Sequence, residues 1–386
     1  MTDTELKEQL VNWRHTLHTH PEAAFEEKWT SDFIADRLAE MGIEVYRGIG
    51  GTGVIGRLKA GDSPKVVALR SDIDAIKVNE VGTPPYRSQN DGRMHACGHD
   101  GHMTMLLGAA KLLSESRDFN GTVQFVFQPA EEPGKGARAM LDDGLLERFP
   151  MDEIYGLHNS PSYPQGTVDI CKGGFCSSED NFTIDIHGRG GHASAPEKGI
   201  DPLVIAAQVI MGLQTIASRN AGAFTPVVVS CTEIFTDGAH NAIPSNVKIL
   251  GDCRCYSREA REMIETRMRA IVDGICTAGG ATYDFLYTHE FAPTVNHDEC
   301  VDAVIKAAGE VLGADRVYPN GSPATFSEDF GAFLEKVPGA FFLLGTVRGD
   351  DEKDLPLHNN KFDFNDEVLT TGASVFAQII RDRLPL

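Results

Sequence analysis

The sequence is poor in positive charge and has no long apolar run and no cysteine pair of the CxxC type. Its 35 lysine and arginine residues are outnumbered by 56 aspartate and glutamate residues, which gives a formal net charge of -21. Such a charge repels phosphate backbones and anionic lipid, so nucleic acid and membrane surfaces are not expected partners. We therefore expect a small-molecule substrate.

Signals for export or membrane insertion are not apparent either. No stretch of about 18 consecutive apolar residues occurs, and the amino terminus has no basic segment followed by an apolar one. The sequence thus predicts a cytoplasmic protein, in which most of the eight cysteines are free core residues. The missing CxxC pair argues against a zinc ribbon, a thioredoxin-like protein and a zinc nucleobase deaminase.

Two patterns of secondary structure divide the chain. About the first 175 residues alternate helical and strand patterns, which is typical of a mostly parallel sheet flanked by helices. From about Asn181 the order becomes strand, helix, two strands, helix and strand, as in a ferredoxin-like α+β unit, and the first pattern returns after Pro293. We predict an α/β catalytic domain formed by residues 1–178 and 292–386, with an inserted α+β domain at 179–291.

One motif points toward a cofactor that its context excludes. The segment GIGGTG (48–53) matches the G-x-G-x-x-G pattern of dinucleotide-binding folds, and Asp72 lies about 20 residues further on. That pattern binds pyrophosphate only where it opens a helix. The following residues, VIGRLKAGDSPKVVAL, instead predict strand, turn and strand, so nucleotide binding is not expected.

Reactive side chains concentrate in five short segments that follow predicted strands or lie in loops. The segments are SDIDA with Asp72 and Asp74, MHACGHDGH with His95, Cys97, His99, Asp100 and His102, QPAEEP with Glu131 and Glu132, GLHNS with His158, and LPLHNN with His358. Because the carboxyl ends of strands meet at one edge of an α/β sheet, these segments can converge. Imidazole, thiol and carboxylate together suit a divalent ion such as zinc, manganese, cobalt or nickel.

Each segment also has a purely structural interpretation. A histidine-rich turn can cap a helix, an acidic loop is usually solvated, and a lone histidine such as His158 or His358 is often a hydrogen-bonded structural residue. If a metal is bound, however, the adjacent Glu131 and Glu132 can divide the work. One carboxylate can hold the ion while the other acts as general base toward water, as metal-assisted hydrolysis requires.

Motifs along nearly the whole chain resemble the hippurate hydrolase and indoleacetyl-amino-acid hydrolase branch of the aminoacylase and carboxypeptidase metallopeptidase superfamily. They are, in order, LHTHPE (17–22), ALRSDIDA (68–75), MHACGHDGHM (94–103), FQPAEEP (127–133), GLHNSP (156–161), GRGGHASAPEKGIDP (188–202), NAIPSNVKILGDCR (241–254) and FSEDFGAFLEKVPGAFFLLGT (326–346).

The resemblance implies a di-metal amidohydrolase that cleaves N-acyl amino acids, such as N-acetyl or hippurate-like N-benzoyl compounds, with a metal-bridging water. The two ions are expected to be Mn²⁺ or Zn²⁺, with Co²⁺ or Ni²⁺ as alternatives. Cys97 is then the bridging ligand, the other ligands are His99, Glu132, His158 and His358, and Glu131 is general base and then general acid.

The two aspartates differ from the wider superfamily pattern. A histidine usually occupies the position of Asp72 there, and a carboxylate usually bridges the metals. We therefore predict that Asp72 and Asp74 orient metal ligands, with direct ligation as the alternative. A second departure is the segment PGKGA after Glu132, where the branch has a string of glycines; Pro133 stiffens this turn and Lys135 adds a charge.

The resemblance makes the inserted domain a lid and a dimer interface, and so implies a homodimer. His192 is expected to reach the partner's site and stabilise the oxyanion, although it can also be a strand-end histidine beside a glycine-rich turn. Asn241 is expected to bind the tetrahedral intermediate. Arg254 is expected to bind the free carboxylate of the substrate, since a planar guanidinium can donate two parallel hydrogen bonds.

Two other functions fit the same motifs. A dipeptidase or carboxypeptidase uses the same metals and a similar carboxylate clamp, and the sequence separates it poorly from an N-acyl-amino-acid hydrolase. A non-catalytic metal-binding protein that retains the fold belongs to a different class, and it would show no metal-dependent amide cleavage.

Overall fold

The chain forms two compact units. The computed structural model describes residues 2–349 and 354–386. Unit 1 comprises Met1–Phe175, Val295–Pro323 and Asp329–Leu386, and unit 2 comprises Cys176–Thr294 and Ala324–Glu328. The short segment Ala324–Glu328, which lies in the catalytic domain of the sequence prediction, thus belongs to unit 2.

The helices and strands of the described residues are numbered in chain order. The α-helices are α1 (Asp3–Thr19), α2 (Lys28–Glu40), α3 (His99–Ser116), α4 (Gly136–Asp142), α5 (Leu145–Arg148), α6 (Pro202–Thr215), α7 (Arg258–Gly279), α8 (Asp298–Leu312), α9 (Gly331–Leu334) and α10 (Leu369–Arg383). The strands are β1 (Glu44–Ile49), β2 (Gly53–Ala60), β3 (Val66–Asp72), β4 (Gly121–Gln128), β5 (Glu153–Pro164), β6 (Val168–Asp169), β7 (Gly173–Cys176), β8 (Glu179–His187), β9 (Gly191–His192), β10 (Val227–Thr236), β11 (Ala242–Ile243), β12 (Asn246–Cys255), β13 (Thr282–Phe291), β14 (Thr294–Asn296), β15 (Val317–Tyr318) and β16 (Gly339–Val347).

Unit 1 is built on an eight-stranded sheet with the order β1-β2-β4-β3-β5-β16-β6-β15. In its centre β3 runs parallel to β4 and β5, and β5 runs parallel to β16. The β1–β2, β2–β4 and β6–β16 pairs are antiparallel. The predicted α/β class is confirmed: β6 also runs parallel to β15, so four of the seven described strand pairs of this sheet are parallel and the remaining three make it mixed. The short turn between β1 and β2 explains part of this, because a tight turn can join only antiparallel strands.

That turn contains the GIGGTG segment. It joins the antiparallel strands β1 and β2, and no helix follows it. Gly50 has a φ of +65° in this turn, and a Cβ atom there would lie 2.6 Å from the Met140 nitrogen. The glycines therefore serve a tight hairpin that packs against α4, as the strand–turn–strand prediction requires.

Helix α1 is tied to the start of α3 through buried charges. Arg14, which is fully buried, places Nη1 3.2 Å from Asp100 Oδ2, and His18 Nδ1 lies 2.8 Å from the same oxygen. Burial opposes protonation of His18, but its hydrogen bonds to Asp100 and Glu80 prevail and raise its pKa to about 9. Asp100 lies in the first turn of α3, where the helix dipole also favours a negative charge. These contacts fix the helix end that carries His99.

Unit 2 is a four-stranded antiparallel sheet with the order β10-β12-β8-β13, packed against α6 and α7. Its chain order of strands and helices agrees with the predicted α+β unit, whereas its lid and dimerisation roles stay predictions. One helical stretch here, Pro202–Asn220, is long and apolar enough to cross a membrane by length and composition alone. A single stretch of this kind is weak support for a membrane span, because core helices of soluble proteins pass the same test.

Candidate metal centre

The candidate centre lies in unit 1 at the carboxyl edge of three neighbouring parallel strands. Strand β3 ends at Asp72, which pairs in register with Gln128 at the end of β4. Strand β5, on the other side of β3, contains His158. Ligands are expected at this edge of an α/β sheet, because the loops that follow adjacent strands meet there.

A left-handed glycine aims two of the predicted ligands. Gly98 has a φ of +97° and precedes α3, which begins at His99 itself. A Cβ atom on Gly98 would lie 2.4 Å from Asn159 Oδ1, so a larger residue does not fit. The turn leaves Cys97 Sγ 3.4 Å from His158 Nε2, and His99 on the opposite side of the glycine joins the same group.

The five predicted metal ligands come together in two groups that share one residue. Cys97, His99 and His158 form one group, and Cys97, Glu132 and His358 form the other, with potential ligand atoms within 4.8 Å of one another in each. Cys97 thus belongs to both groups, which is the arrangement that a bridging ligand requires. Four of the five side chains are buried or half-buried, and His358 is exposed.

The surroundings of His99 show that a cation fits at these groups. Its Nε2 atom is buried and makes no hydrogen bond to any residue that the structure describes. Three carboxylates nevertheless surround it, with oxygen atoms of Asp72, Glu131 and Glu132 at 3.8, 3.9 and 3.8 Å. A buried imidazole nitrogen beside several carboxylates offers the mixed ligand set that a divalent cation takes. The residues therefore fit a metal.

Asp74 orients both a ligand and the glutamate pair. Its backbone carbonyl lies 2.9 Å from His99 Nδ1, which leaves Nε2 of that ring for a metal. Its carboxylate accepts the backbone N–H groups of Glu131 and Glu132 at 3.0 and 3.1 Å. Partners of this kind fix the tautomer and direction of metal-binding side chains. These contacts suit the orienting role of Asp74, which stays a prediction.

Asp72 is held by residues to which the sequence analysis gave no role. Arg70 Nη1 lies 3.1 Å from Asp72 Oδ2, and His102 Nδ1 lies 2.8 Å from Asp72 Oδ1. On its other side, His102 Nε2 lies 3.1 Å from the backbone nitrogen of Asn159, which can only donate to it. Arg70 lies in the apolar strand β3, and a charged residue in a buried strand indicates an ion pair. The sequence therefore contained a signal for Arg70 as the partner of a buried acid.

The pKa values around the centre describe ligands that carry protons before a metal binds. Burial raises the pKa of the Cys97 thiol, and the charge of Glu132 raises it further. Contacts with Cys97 and Glu132 raise the pKa of His358 to about 10. Burial lowers the pKa of His158, so this ring is already neutral. Burial opposes protonation of His99, but the charge of Asp72 prevails and raises the pKa of this ring. Metal binding must therefore release protons from Cys97, His99 and His358.

The remaining predicted site residues lie in unit 2. His192 is exposed on β9 and pairs with Ala242 of β11, and the Asn241 carbonyl accepts the Ala193 N–H at 3.0 Å. Arg254 on β12 lies 2.9 Å from both Glu179 and Asp252 and donates to Ser327 Oγ at 2.7 Å. The structure thus groups the five predicted metal ligands, Glu131 and the two aspartates in unit 1, and it places His192, Asn241 and Arg254 in unit 2.

The ligand groups and the glutamate pair beside them are typical of metal-dependent hydrolases. Residues 68–382 match peptidase family M20/M25/M40, and the chain belongs to this family. It is 40% identical to hippurate hydrolase from Campylobacter jejuni over 97% of this chain and 96% of that one, and 38% identical to N-acetylcysteine deacetylase from Bacillus subtilis over 98% of each.

A solved structure carries the same fold. It is a dinuclear metal-binding peptidase of the M20 family from Bacillus subtilis, with a TM-score of 0.86 and 33% identity over 99% of both chains. Together with the ligand groups, these similarities identify the chain as a metal-dependent amidohydrolase that binds two divalent ions.

Replacement of Asp74 tests the orienting contacts. Asp74→Ala leaves the Glu131 and Glu132 N–H groups without their acceptor, so we expect metal affinity to fall about 10–100-fold. Calorimetric titration of the metal-free protein with Mn²⁺ measures this. Glu22→Ala is the matched control, because Glu22 also accepts two backbone N–H groups, those of Trp29 and Thr30, at the start of α2. Equal affinities of the two variants would contradict the assignment.

Proposed function

We propose that this protein hydrolyses the amide bond of small N-acyl amino acids, including N-acetyl and N-benzoyl compounds. The observation that carries the proposal is the pair of ligand groups that share Cys97 beside the adjacent Glu131 and Glu132. The two curated relatives are named for hippurate and N-acetylcysteine, and both of these compounds are N-acyl amino acids.

The metal ligands follow from the two groups. Cys97 would hold both ions, with His99 and His158 as further ligands of one and Glu132 and His358 as further ligands of the other. Thiolate and imidazole ligands suit Zn²⁺, and carboxylates suit Mn²⁺. Co²⁺ or Ni²⁺ are the alternatives. Bound ions of this kind polarise a carbonyl and lower the pKa of water toward neutrality.

Glu131 moves the proton. Its carboxylate accepts a proton from the attacking water and then gives it to the nitrogen of the departing amino acid. The hydrogen bond from its own N–H to Asp74 fixes the backbone from which this side chain projects. Glu132, whose N–H is held by the same aspartate, serves as a ligand, so the pair divides the two tasks.

The neutral ring of His192 has the tautomer that a hydrogen-bond donor to an oxyanion needs. The Ser194 backbone N–H, which can only donate, lies 3.2 Å from His192 Nδ1, so this nitrogen is the acceptor and the proton of the neutral ring resides on Nε2. Nε2–H is then a donor suited to the negative oxygen of the tetrahedral intermediate. We assign it this role in the site of the partner subunit, with Asn241 beside it.

Arg254 is proposed to bind the free carboxylate of the substrate. Its guanidinium already contacts Glu179 and Asp252, so a substrate carboxylate has to replace at least one of these contacts. This exchange lowers the binding free energy that the substrate carboxylate gains from Arg254, because two charge-assisted contacts of the arginine are already made.

We further propose a cytoplasmic homodimer that forms through unit 2. Three apolar side chains of the edge strand β10 are about half exposed: Val228 by 49%, Ile234 by 47% and Phe235 by 50%. An exposed apolar edge strand favours pairing with another chain. The net charge of -21 supports the absence of nucleic acid and anionic membrane among the partners.

A dipeptidase or carboxypeptidase is the second candidate, and the family's description as peptidases favours it. Both activities depend on the same metal centre. They differ in whether the acyl group of the preferred substrate carries an amino group.

Glu131→Gln separates proton transfer from metal binding. The amide cannot accept the proton of water, so we expect kcat to fall by about 10²–10⁴-fold while two equivalents of metal remain bound. Glu132→Gln is the matched control, and it should lose metal affinity as well. Elemental analysis and steady-state assays measure both quantities, and near-normal turnover of Glu131→Gln would refute its assignment.

Mixing two inactive variants tests the contribution of the partner subunit. Glu131→Gln and His192→Ala homodimers should each be inactive, whereas half of a randomly reassociated mixture is heterodimer with one complete site. About a quarter of the wild-type activity should therefore return after subunit exchange. If both homodimers are inactive, no recovery in a mixture that contains heterodimers by native mass spectrometry would show that His192 acts within its own subunit. An active His192→Ala homodimer would show that it has no catalytic role.

Substrate and metal dependence test the function itself. Metal-free protein should cleave no amide, and Mn²⁺ or Zn²⁺ should restore cleavage of N-acetyl, N-benzoyl or indoleacetyl amino acids. Preference for dipeptides with a free amino terminus would favour the peptidase. A folded protein that binds two metals and cleaves no amide in either panel would be a metal-binding protein only.

A further inference from the structure

A buried carboxylate beside the glutamate pair has no part in the function proposed above. Glu27 directly precedes α2 and is fully buried. Its Oε1 atom accepts the backbone N–H of Ala130 at 2.9 Å, and its Oε2 atom accepts the Thr52 hydroxyl at 2.6 Å. Both oxygens of this side chain are thus engaged by groups of fixed position.

Glu27 is costly to bury. Burial raises the pKa of its carboxyl group, and the nearby charge of Asp74 raises it further. Among the residues that the structure describes, no lysine, arginine or histidine forms an ion pair with it. A buried acid without a cationic partner is unfavourable for folding, so the contacts it makes need another explanation.

Those contacts continue a row of backbone hydrogen bonds. The N–H groups of three consecutive residues, Ala130, Glu131 and Glu132, are all accepted by buried carboxylates. Asp74 accepts the second and third, and Glu27 accepts the first. Two acids from separate segments of the chain therefore hold the backbone that presents the catalytic and metal-binding glutamates.

The residue that Glu27 holds has an unusual conformation. Ala130 has a φ of +50°, in the left-handed region that residues with a Cβ atom rarely adopt. This conformation turns the chain directly after Pro129 and so sets the direction in which the next two side chains leave the backbone. Without a fixed acceptor for its N–H group, the backbone of Ala130 lowers its free energy by rotating to a conformation with a negative φ.

We propose that Glu27 is a positioning residue: it clamps the Ala130 amide and thereby keeps the strained turn that aims Glu131 and Glu132 at the metal centre. The inference rests on the proposed function only where it names Glu131 as general base. Glu27 contacts neither substrate nor metal in this account. Its effect reaches the reaction through the backbone of residues 130–132.

Three variants separate this role from a contribution to folding. Glu27→Met keeps the length of the side chain but removes the acceptor, and we expect kcat to fall about 10–100-fold with KM within about threefold, because small displacements of a catalytic group cost this much. Glu27→Gln should retain at least about a third of kcat, since its carbonyl can accept the Ala130 N–H and its NH₂ group can donate to Thr52. Thr52→Val removes only the other hydrogen bond and should lower Tm with kcat within about threefold of wild type.

Hydrogen exchange provides a readout that needs no activity. In the metal-free protein, the peptide that contains Ala130 should exchange at least about 10-fold faster in Glu27→Met than in wild type or Glu27→Gln, because its amide loses its acceptor. If the wild type cleaves no amide, the proposed function fails and this comparison still decides the role of Glu27.

Wild-type kcat and exchange in folded Glu27→Met would overturn the proposal. Losses of kcat that follow the fall in Tm across all three variants would also overturn it, because Glu27 would then contribute only to the stability of the fold. If Glu27→Met does not fold, Glu27→Asp replaces it. Its carboxylate is withdrawn by about 1.5 Å, and wild-type kcat in that variant would equally refute the clamp.

Discussion

The candidate centre depends on the electrostatic repulsion among carboxylates that the fold gathers away from water. Oxygen atoms of Asp72, Glu131 and Glu132 lie within 3.9 Å of a single imidazole nitrogen, and that nitrogen has no hydrogen-bond partner in the part of the chain that the structure describes. The Glu131 and Glu132 oxygens lie within 4.8 Å of each other, and two negative charges at about this distance in a poorly solvated site repel one another by roughly 3–4 kcal/mol at an effective dielectric constant near 20. A bound cation offsets this repulsion, so the carboxylates that destabilise the metal-free site favour metal binding.

The rest of unit 1 holds these groups in place. The buried contacts of Arg14 and His18 with Asp100 fix the beginning of α3, and the Asp74 carbonyl, just beyond β3, lies 2.9 Å from His99 Nδ1. The carboxylates of Glu27 and Asp74 accept the backbone N–H groups of the three successive residues 130–132. A centre built in this way is rigid because its ligands project from strand ends, a helix start and a clamped turn, which limits the reorganisation needed when ions bind.

The sequence indicated the candidate ligands of the centre better than the residues that hold those ligands in position. The spacing of Cys97 and His99 around a glycine, and the adjacent Glu131 and Glu132, are local patterns, and the strand-end rule places both segments at one edge of the sheet. Glu27 and His102 could not be assigned in this way, because their partners lie far along the chain and depend on packing. The three antiparallel pairs of the described sheet were not specified for a similar reason, since residue patterns do not give strand order.

The most direct test of the account is a crystal structure of the Mn²⁺- or Zn²⁺-loaded protein, with the ions located by anomalous scattering. Two ions per chain are expected, with Cys97 Sγ bound to both, His99 and His158 bound to one, Glu132 and His358 bound to the other, and Glu131 bound to neither. A single ion, or two ions without Cys97 between them, would contradict it.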